Sequence, residues 1–216
     1  MRVLKGKEQI YADINAIASS YQKVIIDIGT GDGRYIFKLA QEHKENFYIG
    51  VDPVADNMAE YAKKSAKKIL KGGLPNVCYI VASIESIPVE LYDTASKIYI
   101  NLPWGSLLEG MMKGTDCVLG NIVRLAKPPL AELEICVSYS SQYEASEIEK
   151  RRLPELSIQY INTALRELYQ SKGIFINRVE ALGNDSLKSV STKWAKRLGY
   201  GKNRNIYRLS ATIKKE

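Results

Sequence analysis

The chain has 216 residues, of which 45% are hydrophobic and 25% charged, and its formal net charge is +7. This length suits one domain with a complete core, and no apolar run approaches the ~20 residues that cross a membrane. The N-terminal stretch lacks an apolar signal region, and Cys78, Cys117 and Cys136 are widely spaced without a Cys-x-x-Cys pair. We therefore expect a cytoplasmic protein without a metal site or a disulfide framework, and the excess of cations favours a polyanionic partner.

In chain order, apolar runs alternate with helix-forming segments. Residues 1–22 predict an edge strand or hairpin, then a helix or turn around 12–20. Strands are predicted at 23–28, 46–51, 76–82, 96–101, 131–138, 174–181 and 205–213. Helices are predicted at 34–43, 55–70, 115–126 and 156–171. This order predicts an α/β fold, Rossmann-like, with a seven-stranded, mostly parallel sheet that ends in an antiparallel hairpin.

We expect one domain over residues 1–216. This domain would contain three additional segments: an N-terminal extension at 1–22, an inserted linker at 139–156 and a basic loop or helix at 183–204. The linker is polar over 139–154, which predicts a loop with a short helix.

The first predicted strand of the sheet ends in a glycine-rich turn, in the sequence VIIDIGTGDG from Val24 to Gly33. Glycines let the chain turn tightly and let a ligand approach the backbone. The next strand ends at Asp52, 23 residues after Gly29, where a carboxylate can accept hydrogen bonds from ribose hydroxyls. This is the arrangement of a nucleotide-type cofactor site.

The glycine spacing, Gly-x-Gly-x-Gly, differs from the Gly-x-Gly-x-x-Gly of dinucleotide sites. Asp27 and Asp32 flank the turn, and two carboxylates there would repel a pyrophosphate but suit a cation. S-adenosylmethionine carries a sulfonium and an ammonium group, and IDIGTGDG resembles the first motif of class I methyltransferases. We therefore predict S-adenosylmethionine as the cofactor. The cofactor-binding residues that we predict are Asp27, Gly29, Thr30, Gly31, Asp32, Asp52, Pro53, Ala82, Glu85 and Asn101.

Ligands of such sheets bind outside the carboxyl ends of the strands, so the segments Ala82–Pro88 and Asn101–Ser106 should also meet the ligand. Glu85 is the polar candidate beside the adenine of the cofactor. Asn101-Leu102-Pro103-Trp104 resembles the Asn-Pro-Pro-aromatic motif of adenine-N6 methyltransferases, with leucine in place of the first proline. The methyl acceptor should therefore lie after the fourth strand of the sheet.

A ring nitrogen with a lone pair can take the methyl directly, so a general base is not needed. This agrees with the lack of catalytic histidines, since His43 is the only one in the chain. Trp104 and Trp194 fall in segments on the cofactor side of such a fold. A flipped base could stack between them, and each stacked face is worth ~1–3 kcal/mol.

Three basic clusters suggest a nucleic acid as the polyanion. In the first, lysines recur with helical spacing after Asp52, so that Lys63, Lys67 and Lys71 would align on one stripe beside Lys64 and Lys68. The other clusters contain Lys150, Arg151 and Arg152, and Lys193, Lys196, Arg197, Lys202, Arg204 and Arg208.

Five stretches, IDIGTGDGRYIFKLA, FYIGVDPV, LPWGSLLEGM, YEASEIEKRRLPELS and WAKRLGYGKNR, together resemble the aminoglycoside-resistance 16S rRNA adenine-N1 methyltransferases of the NpmA and Kam group. The similarity spans essentially the whole chain. It implies methylation of adenine 1408 at N1, in helix 44 of the assembled 30S subunit, which blocks aminoglycoside binding.

By this resemblance, Trp104 and Trp194 would clamp the flipped adenine, and Ser106 and Thr192 would lie near the methionine end or the target. The residues implied to grip rRNA are Lys63, Lys64, Lys67, Lys68, Arg151, Arg152, Arg197, Lys202 and Arg204. We expect a monomer that docks on preformed rRNA shape, since nothing in the sequence resembles a separate RNA-binding module.

Other functions stay open at the level of sequence. They are a tRNA or DNA adenine-N6 methyltransferase, a small-molecule methyltransferase and a non-catalytic rRNA-binding factor. The intact glycine turn argues against the last, and the three basic clusters argue against a small-molecule substrate.

Overall fold

The computed structural model describes residues 1–183 and 204–215, and a seven-stranded sheet lies at its centre. In chain order its strands are β3 (Val24–Ile28), β4 (Phe47–Asp52), β5 (Val77–Val81), β6 (Lys97–Asn101), β7 (Leu130–Val137), β8 (Ile174–Leu182) and β9 (Ile206–Lys214). In space they follow the order β5-β4-β3-β6-β7-β9-β8. Only β9 is antiparallel to its neighbours, β7 and β8. This confirms the predicted sheet with its C-terminal antiparallel hairpin.

An N-terminal hairpin precedes the sheet, as predicted, and consists of β1 (Arg2–Lys5) and β2 (Glu8–Tyr11). The helices are α1 (Ile14–Ala18), α2 (Arg34–Glu42), α3 (Ala55–Ser65), α4 (Gly105–Lys113), α5 (Asp116–Leu125), α6 (Ser141–Arg151), α7 (Ile158–Tyr160) and α8 (Arg166–Gln170). A π-helical turn, Ile161–Leu165, joins α7 to α8. Short 3₁₀ helices cover Ile69–Lys71, Ile84–Ser86 and Val89–Leu91.

The strands are buried on both faces, because successive side chains of a strand point to opposite sides of the sheet. Ile49 and Val51 of β4 join the larger core, which also contains apolar residues of α4 and α5. Tyr48, which directly precedes Ile49 and points to the opposite face, joins a second core with residues of α2 and α3. Helices on both sides therefore enclose the sheet in a three-layer α/β structure. No helix among the described residues is both long and apolar enough to span a membrane.

The order of the strands in the sheet changes direction at β3. β4 and β5 extend to one side of β3, and β6 and β7 extend to the other. The loops that follow β3 and β6 therefore leave the same edge of the sheet in opposite directions. A crevice opens between them, which is where open α/β sheets bind ligands.

The prediction of a helix over 55–70 is wrong at its C-terminal end, because α3 ends at Ser65. The amide of Leu74 donates to the carbonyl of Ser65 over 3.0 Å, so the chain folds back on itself. Gly73 permits this fold, because a Cβ there would lie 1.8 Å from the carbonyl oxygen of Lys67. Lys63, Lys67 and Lys71 therefore do not share one helical stripe.

Helix α4 is missing from the sequence prediction, because its two glycines are typical of a turn. The structure explains Gly110, where a Cβ would lie 2.3 Å from Cγ2 of Val118. The glycine thus lets α4 pack closely against α5. The inserted linker also holds more helix than predicted, since α6 has 11 residues.

Candidate active site

A cleft of about 710 Å³ lies at the carboxyl ends of β3, β4, β5 and β6. It is formed by the four loops that follow these strands. Its lining includes the predicted residues Gly29, Thr30, Gly31, Asp32, Asp52, Pro53, Ala82, Glu85, Asn101, Trp104 and Ser106. The structure therefore brings together, in one concave surface, residues that are up to 77 positions apart in the sequence (29 to 106).

Asp52 fixes the backbone at the floor of this cleft. Its Oδ2 accepts a hydrogen bond from the amide of Gly31 over 3.0 Å, and its Oδ1 accepts one from the amide of Val54 over 2.9 Å. Gly31 has a φ of 59°, in the left-handed region that favours glycine. Each carboxylate oxygen can accept a further hydrogen bond, so Asp52 keeps the capacity for ribose hydroxyls.

Asp27 differs from the other predicted cofactor residues, because it lies behind the lining of the cleft. Its side chain is buried, and Oδ2 accepts a hydrogen bond from the hydroxyl of Thr30 over 2.6 Å. Burial raises the pKa of Asp27 to about 7, although Thr30 and Asn101 lower it. Asp27 is thus a carboxylate whose charge is poorly compensated by the described residues.

Glu85 and Ser106 meet on the opposite wall of the cleft. Burial raises the pKa of Glu85, but hydrogen bonds from Ser106, from its own backbone and from Ser83 outweigh burial and lower the pKa overall. Glu85 is therefore held as a carboxylate. This contact joins the loop after β5 to the start of α4.

The loop after β6 presents Trp104 at the lip of the cleft, where 37% of the residue is exposed. Leu102 is buried, adopts a left-handed φ of 52° and donates its amide to the carbonyl of Cys136 over 2.7 Å. Leu102 thus anchors the loop in the core at a sharp bend, and Trp104 follows in an extended conformation before α4. The leucine that departs from the Asn-Pro-Pro pattern has a structural role.

The cleft also contains residues that sequence reasoning missed. Val54, Asp56 and Asn57 line it at the start of α3, and Leu107 lines it in α4. The position of the first three directly after Asp52 was a usable signal, since the start of a helix after a strand lies at the ligand edge of the sheet. Leu107 had no such signal, because α4 itself was not predicted.

The predicted RNA-binding residues do not all present free charge. Lys63, Lys67, Lys68 and Arg152 are exposed. Lys64 forms an ion pair with Glu60 at 2.7 Å.

Arg151 and Arg204 form ion pairs with carboxylates of the protein. Arg151 forms ion pairs with Glu147 and with Glu109. Arg204 requires a correction, because its side chain is 1% exposed and both terminal nitrogens bind the carboxylate of Glu144. It holds α6 in place instead of presenting a charge to solvent. Trp194, Thr192, Arg197 and Lys202 lie outside the described residues.

The residues of the cleft fit S-adenosylmethionine. Oδ1 of Asp27 is buried without a hydrogen bond from the described residues, and a buried acceptor of this kind favours a cationic ligand. Oδ2 of Asp32 also lacks a hydrogen bond from the described residues, but it lies 3.8 Å from Nε of Arg34, which forms an ion pair with it. Asp52 and Glu85 are carboxylates that can accept from ribose and adenine. No group of three or more histidine, cysteine or acidic side chains within the described ranges is arranged to hold a metal ion.

A Rossmann-like sheet with a glycine loop, a ribose-type carboxylate and a switch-point cleft defines a class I S-adenosylmethionine-dependent methyltransferase. The comparisons narrow this class. The sequence profile of the NpmA family, 16S rRNA (adenine(1408)-N(1))-methyltransferase, matches residues 2–213. The chain therefore belongs to this family of 16S rRNA methyltransferases.

Individual relatives are similar over their whole length. The chain is 41% identical to a 16S rRNA (adenine(1408)-N(1))-methyltransferase of Escherichia coli, with 100% of both chains covered. The enzyme of the same name from Catenulisporales acidiphilia, solved as a tryptophan-to-alanine mutant with its cosubstrate SAM, superposes with a TM-score of 0.88 at 32% identity, covering 100% of this chain and 97% of that one. The aminoglycoside resistance methyltransferase NpmB1 gives a TM-score of 0.82 at 30% identity, with 98% of each chain covered.

Proposed function

We propose that this protein transfers a methyl group from S-adenosylmethionine to N1 of adenine 1408 of 16S rRNA. The observation that supports this best is the position of Trp104, a half-exposed indole at the lip of a cleft that fits the cofactor. An exposed aromatic ring beside a reactive methyl is suited to stacking a base that has left its helix.

When bound, S-adenosylmethionine supplies an electrophilic methyl group on a positively charged sulfur. The methyl would pass to the lone pair of adenine N1, and the electron pair of the carbon–sulfur bond would remain on sulfur. Because the positive charge would move from sulfur to the base, no side chain of the protein would need to take a proton during the transfer. The role of the protein is then to position and desolvate the two reactants.

Different residues of the chain would position the cofactor and the target adenine. The glycine loop and Asp52 would orient the ribose end of the cofactor, and Glu85 the adenine. Asp27 and Asp32 would attract the cationic end of the cofactor. Trp104 would hold one face of the target adenine, and we propose Trp194 for the other, with Ser106 and Thr192 near the reacting groups.

The docking partner that we propose is helix 44 in the assembled 30S subunit, so the enzyme would act in the cytoplasm. Exposed cations at Lys63, Lys67, Lys68 and Arg152 support a phosphate-rich partner, and we propose Arg197 and Lys202 for the same contact. Lys64 and Arg151 could contribute by exchanging a carboxylate for a phosphate. We propose that residues 1–216 act as one domain and as a monomer.

Methylation at N1 would alter the edge of the adenine that aminoglycosides contact in the decoding site. The similarity to NpmB1, named as an aminoglycoside resistance methyltransferase, supports this consequence. We therefore propose that the protein confers aminoglycoside resistance.

The test is methylation of purified 30S subunits with labelled S-adenosylmethionine, followed by primer extension across helix 44. We expect a strong stop at adenine 1408, because N1 methylation blocks Watson–Crick pairing. Incorporation of label without a stop would contradict methylation at N1 and leave N6 methylation as an alternative, and absence of label would refute the proposal.

Trp104→Ala should lower turnover at least tenfold, because one stacking face is worth ~1–3 kcal/mol. Its affinity for the cofactor, measured by calorimetry, should stay nearly unchanged. Trp104→Phe is the matched control, since it retains an aromatic face and should recover part of the activity. Unchanged turnover in Trp104→Ala would refute the stacking role.

A further inference from the structure

Two adjacent aliphatic side chains project into solvent just after α3. Leu70 is 100% exposed and Ile69 is 71% exposed. Isolated exposed aliphatic residues are common on protein surfaces, but two large ones side by side, one of them fully exposed, are not explained by the core. We refer to this pair as the Ile69–Leu70 knob.

The backbone holds the knob in this exposed position. Ile69–Lys71 is a 3₁₀ turn, in which the amide of Lys71 donates to the carbonyl of Lys68 over 2.8 Å and that of Gly72 to Ile69 over 3.0 Å. The amide of Gly73 also donates to the carbonyl of Lys68 over 3.2 Å, which closes the turn. The exposure of the two side chains therefore follows from a folded turn and not from a frayed helix end.

Exposed lysines surround the knob. Lys67, Lys68 and Lys71 flank it in sequence, and Lys63 lies one turn earlier on α3. The N-terminal hairpin extends this group, because a Cβ on Gly6 would lie only 3.8 Å from Cβ of Lys63. Gly6 is the turn between Lys5 and Lys7, which are also exposed.

These six lysines differ from Lys64 in a way that matters for binding. Lys64 is paired with Glu60, whereas none of the six forms an ion pair with a carboxylate of the described residues. Six cations without ion pairs to the described residues, on the hairpin turn and on the segment from α3 to Lys71, repel one another, and a polyanion would relieve this repulsion.

We propose that the hairpin turn at Lys5 and Lys7, the lysines at the end of α3 and the Ile69–Leu70 knob form one docking surface for the rRNA. The lysines contact phosphates, and the knob packs against riboses in the wide, shallow minor groove of an RNA helix. This proposal rests on the proposed function and assigns to the N-terminal hairpin a role in substrate binding.

An RNA fits this surface better than a membrane does. Interfacial membrane binding scales with the apolar area that enters the lipid, and the knob offers only two side chains. The minor groove of RNA instead presents sugar surfaces between two rows of phosphates, which matches a small apolar tip between cations.

The apolar and the charged contributions can be tested separately. Leu70→Ser removes the tip, and its matched control is Val89→Ser, which changes a 68% exposed aliphatic residue on another 3₁₀ helix without lysine neighbours. Lys5→Gln with Lys7→Gln removes two hairpin charges. Its control is Lys23→Gln with Lys127→Gln, which changes the net charge equally at exposed positions before β3 and β7.

The measurement is the Kd for 30S subunits over a series of salt concentrations, beside cofactor affinity and the urea midpoint as checks of folding. Leu70→Ser should bind about tenfold more weakly with an unchanged salt slope. The Lys5/Lys7 double variant should bind more weakly, and its slope should fall by about two, since each phosphate contact contributes about one. Both controls should stay within about twofold of the wild type.

The outcomes separate the two proposals. If the wild type neither methylates nor binds 30S subunits, the proposed function and the docking surface both fail. If the wild type methylates adenine 1408 but the variants bind like their controls, only the docking surface is refuted. If Leu70→Ser instead loses binding to vesicles of phosphatidylcholine and phosphatidylglycerol while its Kd for 30S is unchanged, the surface is a membrane site and the proposal is overturned.

Discussion

Asp27 is a buried acid whose folded-state pKa of about 7 lies well above the usual value of 3.8. Between these two pH values the folded protein holds a proton that the unfolded chain releases. The free energy of unfolding therefore falls as pH rises from about 4 through 7, and the loss is complete above pH 7. A carboxylate retained at such a cost suggests that its charge serves the ligand and not the fold.

Asp27→Asn should remove this loss, because the amide does not ionise and can still accept from Thr30. We expect the variant to be more stable than the wild type by on the order of 2–4 kcal/mol at pH 8 and by little near pH 4. Urea unfolding without cofactor at both pH values checks this. An equal difference at the two values would contradict it, and weaker cofactor binding by the variant would support the role of the charge.

Among the elements, α4 and α5 pack closely where Gly110 faces Val118. The contact of Gly110 with Val118 leaves no room for a side chain. Gly120, on α5, has nothing within 4 Å of an added Cβ. The two glycines thus occupy the same helix pair with opposite steric surroundings.

Gly110→Ala should lower the free energy of unfolding by about 1–3 kcal/mol, because overpacking forces the helices apart. Gly120→Ala should raise it by about 0.5–1 kcal/mol, since alanine restricts the unfolded chain and favours the helix. Urea denaturation of both variants makes the comparison. Equal effects of the two substitutions would show that the contact with Val118 is not tight.

Some of these elements could be predicted from the sequence and others could not. The strands and the ligand edge were predictable, because β-branched runs, the glycine turn and Asp52 are local signals. The end of α3 was not, since it depends on Leu74 bonding back to Ser65 and on the space at Gly73. The pairing of Arg204 with Glu144 was also beyond reach, because 60 residues separate them.

At the scale of the whole molecule, the exposed cations that we propose for rRNA binding lie, among the described residues, on the N-terminal hairpin, on and after α3, and after α6, whereas the cleft is formed by the loops after β3, β4, β5 and β6. Recognition would therefore require several rRNA surfaces held in fixed relative positions. Short RNA supplies at most one of them.

A helix 44 hairpin should therefore be methylated at least a hundredfold more slowly than the 30S subunit. Methyl incorporation from labelled cofactor, at equal concentrations of the two substrates and low salt, is the measurement. A 16S fragment of the same length without adenine 1408 provides the background. Comparable rates on hairpin and subunit would rule out docking on assembled shape.

Asp52 links two regions that an experimenter would wish to treat as independent. Its Oδ2 accepts a hydrogen bond from Gly31 in the glycine loop, and its Oδ1 accepts one from Val54, directly before α3. Helix α3 leads to the exposed lysines. Replacing Asp52 would thus disturb both the floor of the cofactor cleft and the start of α3, the helix that leads to the lysines. A drop in rRNA affinity in such a variant would be no evidence that Asp52 contacts RNA, and a drop in cofactor affinity would be no measure of a ribose bond.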